Sequence, residues 1–210
     1  SENDFVLAES ETVATIWFDA DEEKPVQRVA EDLQSDVLSV TGKTPAISSE
    51  ETMPEGPVVI VGTLGKSTKI NELVNNGTIT AEEKAAIEGK WEAYLIKVVD
   101  KDTLVIAGSD NRGAIYGVYK ISEEMGVSPW HYFADVPVQT KEEVYIPAGT
   151  VLIDKPDVQY RGLFINDEEK LYQWVQEAGG LDKGQNGTYQ FGPEFYSKLF
   201  ELILRLGGNY

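Results

Sequence analysis

The stretch VVIVGTLGKSTKI, residues 58–70, decides the fold class. Residues 58–62 form a short apolar run with no polar alternate, so no face of it is left for water. Such a run predicts a strand covered on both sides, as in sheets with helices above and below. The glycine-containing turn that follows leads into a helical pattern over 66–76. A strand entering Gly65-Lys66-Ser67 ahead of a helix also resembles a phosphate-binding loop, whose backbone amides hold an anion. That pattern needs a glycine five residues before Gly65, where Ile60 stands, and Gly62 is too close. The residues therefore read as a plain strand-to-helix turn.

Outward from this unit the chain mixes strands and helices. FVLAE and TVATIWFDA predict two strands joined at Ser10-Glu11. Over 25–41, Val26, Val29, Leu33, Val37 and Val40 recur at steps of three and four, with Pro25 suited to a first turn and Gly42 to a stop. Thr80 and two glutamates open a second short helix over 80–89. AYLIKVV and TLVIAG predict a strand pair turning at residues 100–102, and a helix follows over about 110–125. Strands and helices are interspersed without strict alternation or internal repeat, so the class is α/β or α+β with a mixed β-sheet and packed helices.

VPVQTKEEVYIPAGT carries Pro137, Pro147 and Gly149 and marks a border. The division is a first domain over 1–152 and a second region over 153–210. The second begins with a strand over about 158–166, then a helical pattern near 168–178, a glycine-rich loop and a strong helix over 193–206.

The chain has 210 residues, 18 Lys and Arg against 36 Asp and Glu, and a formal charge of −18. That balance repels nucleic acid and anionic membrane surfaces. No run approaches the roughly 18 apolar residues of a membrane-spanning helix. SENDFVLAES has neither a start Met nor a signal-peptide core. With no cysteine and with His131 as the single histidine, thiolate and multi-histidine metal sites lack ligands, and neither metal nor cofactor is expected.

Two further stretches carry candidate site residues. In SDNRGAIYGVYKISEEMG, Ser109 or Asp110 can cap a helix, and Gly113, Ala114 and Gly117 form a small-residue ridge that lets it lie close on a sheet. Arg112 and Tyr116 either pack there or reach a ligand. In YRGLFINDEE, residues 160–169, a buried-type strand runs into Asn166, Asp167, Glu168 and Glu169. Alternation puts Arg161, Leu163, Ile165 and Asp167 on one face and Tyr160, Gly162, Phe164 and Asn166 on the other. Six residues at about 3.3 Å separate Arg161 from Asp167 by roughly 20 Å, too far for an ion pair. The acidic group reads either as a helix start, with Asn166 as cap and the dipole favouring negative charge, or as part of a site.

YRGLFINDE with Trp174, together with FYSKLFELILRLGGNY, resembles the start of the catalytic barrel in glycoside hydrolase family 115, the xylan α-glucuronidases. VGTLGKS and SDNRGAIYGVYKISEEMGVSPWHYFADVPV resemble the domain that precedes that barrel, and more loosely the hexosaminidase-like domain of related families. The resemblance runs from about residue 58 onward. It implies a non-catalytic α/β domain followed by the first β-α unit of a truncated TIM barrel, whose sites lie where strands end. By the same resemblance, Asn166, Asp167 and Glu168 face a sugar pocket as substrate-binding residues, with Asp167 and Glu168 the catalytic candidates.

The activity implied is removal of (4-O-methyl)glucuronic acid from glucuronoxylan or aldouronic acids, with inversion, by a secreted or periplasmic protein. The chain departs from the family at Glu169, Lys170 and Leu171, where a small residue and a proline are usual. A barrel needs eight units and roughly 200 residues or more, so the 210 residues alone are expected to be inactive. Phe195, Leu199, Leu202, Ile203 and Leu206 make one apolar stripe on the last helix. It is expected to fold back on the first domain, to self-associate with a second copy, or to stay poorly ordered. An alternative reading is a carbohydrate-binding or interaction module using Trp17, Trp91, Trp130 and Tyr132 as a stacking platform. The same aromatics otherwise seal the gap between the domains.

Overall fold

The computed structural model describes residues 2–166, 168–177 and 191–210. In chain order the elements are β1 (Phe5–Glu9), β2 (Thr12–Val13), β3 (Thr15–Trp17), α1 (Lys24–Thr41), β4 (Ile47–Ser48), β5 (Val58–Thr63), α2 (Thr68–Asn75), α3 (Ala81–Ile87), β6 (Tyr94–Asp100) and β7 (Thr103–Gly108). They continue with α4 (Asn111–Met125), β8 (Val144–Ile146), β9 (Val151–Asp154), α5 (Glu169–Glu177) and α6 (Pro193–Arg205). Six strands form one mixed sheet in the order β4-β3-β5-β7-β6-β9, parallel from β4 to β7 and antiparallel beyond. A smaller antiparallel sheet has the order β2-β1-β8. The stretch read as a single strand over 12–20 splits at Ala14, so that β2 stays with β1 while β3 enters the large sheet.

β5 lies at the centre and is buried along its whole length, as its uninterrupted apolar run requires. Val59 and Val61 face one side, packed with Val29, Leu33 and Val37 of α1 and Val118 of α4. Val58 and Ile60 face the other, with Ile70 and Leu73 of α2 and Ile87 of α3. The period of two in the strand thus feeds two separate cores from one run of residues. The helix signals act where the sequence puts them. Gly42 closes α1 in a left-handed conformation, φ 72°. Thr80 and Glu83 form a reciprocal capping box on α3.

Asp110, rather than Ser109, caps α4, accepting from the Gly113 amide at 2.8 Å. The small-residue ridge then brings α4 onto β6 and β7. A β-carbon on Gly113 would stand 2.1 Å from the Ala93 carbonyl oxygen, and one on Gly117 would stand 2.6 Å from Ile106 Cγ2. Gly113→Ala is therefore expected to destabilise the chain. The overpacking cost of about 1–3 kcal/mol outweighs the gain of about 1 kcal/mol in helix propensity. Urea denaturation followed by circular dichroism checks the sign, since propensity alone would raise the midpoint.

Residues 158–166 differ from the expected regular strand. Among the described residues they form no regular ladder. What pairing exists is parallel: Tyr210 N donates to Arg161 O at 3.1 Å, and Leu163 N donates to Tyr210 O at 3.3 Å. Residues 161–163 and 209–210 thus run side by side at this one point, with α5 and α6 lying between them in the chain. The period of two survives: Ile165 packs with Val175, Phe195 and Leu199, while Tyr160 and Phe164 are 73% and 89% exposed.

α6 folds back on the first domain, one of the three outcomes expected for its apolar stripe. Phe195, Leu199 and Leu202 are buried, and Leu204 packs against the larger core, whereas Leu206 stays exposed. Aromatics of the PWHYFADVP segment take part, with Phe133 stacked on Trp174 at 5.4 Å and edge-on to Phe195 at 6.1 Å.

Candidate functional site

The acidic strand end lies on the surface. Asn166 and Glu168 are both exposed, and Asp167 lies outside the described residues. α5 begins at Glu169, with the Glu168 carbonyl accepting from the Tyr172 amide at 3.0 Å. The helix-start reading thus holds, with the position shifted: Glu168, not Asn166, sits immediately before the helix, and Glu169 occupies its first turn. This does not compete with a role in a site, because both Asn166 and Glu168 remain open to solvent. Among the described residues no group of three or more His, Asp or Glu side chains is placed to hold a metal ion.

What positions this strand end is a buried polar junction. Arg161 donates through Nε to Gly207 O at 2.7 Å, and through Nη1 to Val158 O at 2.7 Å and Gln159 O at 3.1 Å. Its Nη2 pairs with Glu92, which is 5% exposed. Asn209 donates to the same carboxylate at 2.9 Å and accepts from the Arg161 amide at 3.0 Å. Arg112 completes the set at 3.4 Å from Glu92. The Tyr116 hydroxyl donates to Gly208 O at 2.7 Å. Arg112 and Tyr116, read as able either to pack or to reach a ligand, are thus committed to joining the two regions. The arginine of YRGLFINDEE is likewise committed to Glu92 and is not spare for an anionic sugar.

Burial acts to raise the Glu92 carboxyl, but the hydrogen bonds from Arg161 and Asn209 and the two guanidinium charges outweigh it and hold it below the usual carboxylate value. Burial, reinforced by the Glu92 charge, pushes the Tyr116 phenol up to about 12. A carboxyl with a lowered folded value stabilises the fold above its unfolded value, about 4.3, and that contribution is lost as pH falls through the folded value. Wild type is therefore expected to lose stability more steeply than Glu92→Gln below about pH 4.3. Urea midpoints measured between pH 3 and 6 check it, parallel curves being the contrary result.

The turn that resembled a phosphate loop is filled by the protein's own groups. Glu22 accepts from Thr63 N at 2.7 Å and from the Thr63 hydroxyl at 3.1 Å. Asp19 pairs with the Ser67 hydroxyl and accepts from Lys69 N at 3.4 Å, and Asn71 caps Gly65 N at 2.9 Å. An incoming phosphate would meet two carboxylates where it needs amides. The aromatic platform is dispersed as well. Trp17 is 4% exposed in the core, and Tyr132 packs edge-on against Phe133 and Trp174. Trp91 and Trp130 stay at the surface, 45% and 40% exposed. Sequence reasoning missed Glu92 and Asn209 as junction residues. Glu92 had one available signal, a charge set directly before an apolar strand. Asn209 had none.

Two family models match successive parts of the chain. Residues 4–121 match the model for the glycosyl hydrolase family 67 N-terminus, and residues 153–210 match glycosyl hydrolase family 115. A solved family 115 4-O-methyl-α-glucuronidase, described as specific for decorated arabinogalactans, is 32% identical over 98% of this chain with a TM-score of 0.79. The chain belongs to glycosyl hydrolase family 115, of which it forms an N-terminal portion. It spans about a quarter, 25%, of the length of that solved enzyme. A family 20 β-N-acetylhexosaminidase from Streptomyces coelicolor A3(2) overlaps more loosely, at 14% identity over 75% of this chain and 24% of its own, with a TM-score of 0.46. A search of the curated proteins finds no match.

Proposed function

We propose that these residues are the N-terminal part of an α-glucuronidase that removes glucuronic acid, or its 4-O-methyl form, from a plant polysaccharide. The observation that carries this reading is the 32% identity, sustained over 98% of the chain, to a 4-O-methyl-α-glucuronidase. Residues 1–152 are a non-catalytic domain whose large sheet runs on through β9 to Asp154, and the remainder of 153–210 opens a (β/α)8 barrel. The parallel pairing of 161–163 with residue 210 supports that assignment, as does Phe164, 89% exposed near the end of this segment, which a barrel interior would cover. Asn166, Asp167 and Glu168 then stand at the carboxyl end of the first barrel strand, where barrel active sites are built.

Inversion requires a carboxylic acid to protonate the leaving oxygen and a carboxylate, about 6.5–9.5 Å away, to activate water on the opposite face. One strand end supplies a single wall of such a site. The 210-residue chain is therefore inactive in this reading, and a polypeptide carrying the complete barrel is active. Glucuronoxylan and aldouronic acids are the substrates the sequence implies. Decorated arabinogalactan is the second candidate, because the solved relative is described as specific for it. A polymer of that size is met outside the cytoplasm, which makes the protein secreted or periplasmic.

The test is release of uronic acid from both polymers by each polypeptide. Release by the barrel-complete form alone is expected. Release by the 210-residue chain, or by neither form, contradicts the reading.

A further inference from the structure

Beside the N-terminus of α4 the junction opens into a cavity of about 280 Å3. Trp91 and Tyr160 line it, and both are exposed, at 45% and 73%. Glu92 and Asn209 line it from the buried side, and Arg112 and Gln159 complete its polar edge. Glu92 has a backbone φ of 58°, a left-handed conformation that side-chain-bearing residues rarely adopt. Trp91 stays 45% exposed beside this turn while the Glu92 carboxylate meets Arg161 and Asn209 in the junction. The rings that seal the two regions are others, Phe133, Trp174 and Phe195, so Trp91 is not needed as a plug.

We propose that this cavity is a carbohydrate subsite, separate from the strand end at 166–168, that takes a neutral pyranose unit of a polysaccharide main chain. Trp and Tyr rings offer an apolar face with a polar tip, which suits the C–H face of a sugar ring bordered by hydroxyls. The Gln159 amide has a donor and an acceptor side by side, as vicinal hydroxyls require, and Arg112, with its side chain 50% exposed, adds N–H donors at the cavity edge. The volume lies at the small end of ligand pockets and suits a single ring.

Charge decides between neutral sugar and uronate. Two carboxylates, Glu92 and Asp110, line the cavity beside Arg112, and Arg161 pairs with Glu92 from the buried side, so the positive and negative charges balance there. The chain as a whole carries −18, which disfavours a further carboxylate. The subsite therefore holds the main chain of a decorated polymer rather than its acidic side groups.

The chain has four tryptophans, whose indole N–H signals report separately in a nitrogen-proton correlation spectrum. Titrating the 210-residue chain with xylohexaose, a galacto-oligosaccharide and glucuronic acid is expected to shift the Trp91 signal with at least one neutral oligomer. Glucuronic acid is expected to shift it less. Trp91→Ala weakens that binding about tenfold or more, and Trp130→Ala leaves it unchanged. No shift at Trp91 up to the solubility of both oligomers, a larger shift with glucuronic acid, or an unaltered titration in Trp91→Ala overturns the proposal. The choice of probes rests on the function proposed above, but the two fail separately: a silent titration leaves turnover intact, and absent turnover leaves the titration intact.

Discussion

Replacing Arg205 with alanine is expected to lower the unfolding free energy by about 3–5 kcal/mol, the cost of leaving buried charge without its partner. Arg205 is the anchor of α6. Its guanidinium donates to both oxygens of Asp36 in α1, at 2.8 and 3.0 Å, and through Nε to Glu201 at 2.9 Å. It also lies over the Tyr119 ring at 4.6 Å. Its side chain is 4% exposed and that of Asp36 is 7%. Burial works to lower the Arg205 value, yet the hydrogen bonds and charges of Asp36 and Glu201 raise it well above the ordinary one, so the guanidinium stays charged throughout.

Removing Arg205 leaves both carboxylates facing the protein interior. Lys84→Ala breaks an exposed pair with Glu88 and should cost no more than about 1 kcal/mol. Asp36→Asn in the Arg205→Ala background should recover part of the loss, because one orphan charge is then gone. Urea denaturation of the four proteins measures all of this. An Arg205→Ala midpoint equal to that of Lys84→Ala would mean that α6 does not depend on the buried pair.

The second large effect concerns chemistry. In a barrel-complete polypeptide, Asp167→Asn or Glu168→Gln is expected to lower kcat/KM by about 100- to 10,000-fold for whichever of the two acts as proton donor or acceptor, the range for losing a general acid or base. The other, if it only binds sugar, should change KM more than kcat. Glu169→Gln is the control, since Glu169 lies in the first turn of α5 and contributes through the helix dipole, roughly 0.3–1 kcal/mol of stability. Steady-state kinetics on aldouronic acid separates the three. Activity within a few-fold of wild type in both Asp167→Asn and Glu168→Gln would remove this strand end from the catalytic machinery.

The elements that the sequence made legible are those specified locally. The apolar run of β5, the three- and four-residue steps of α1 and the capping box of α3 each need only neighbours along the chain, and each is found where the pattern puts it. Gly113 and Gly117 were legible for the same reason, since a ridge of small residues implies a close surface.

Tertiary partners decided the rest. Ala14 separates two strands because β2 and β3 enter different sheets, which no local pattern reports. Residues 158–166 alternate like a strand, yet a strand is defined by its neighbours, and among the described residues the backbone bonds to it come from Asn209 and Tyr210. The junction of Glu92, Arg161 and Asn209 joins positions up to 117 residues apart, and polar side chains carry no periodic signature. At the candidate site, the chemistry of Asn166 and Glu168 was visible as a cluster of charge. Its placement at a strand end that becomes a helix depends on α5.

The central claim is that Asn166, Asp167 and Glu168 form one wall of a uronic-acid site. A crystal structure of the barrel-complete polypeptide with bound glucuronic acid tests it most directly. The account predicts at least one of these three side chains within hydrogen-bond distance of the sugar, about 2.6–3.2 Å. A sugar bound with all three beyond the reach of even one bridging water would contradict it.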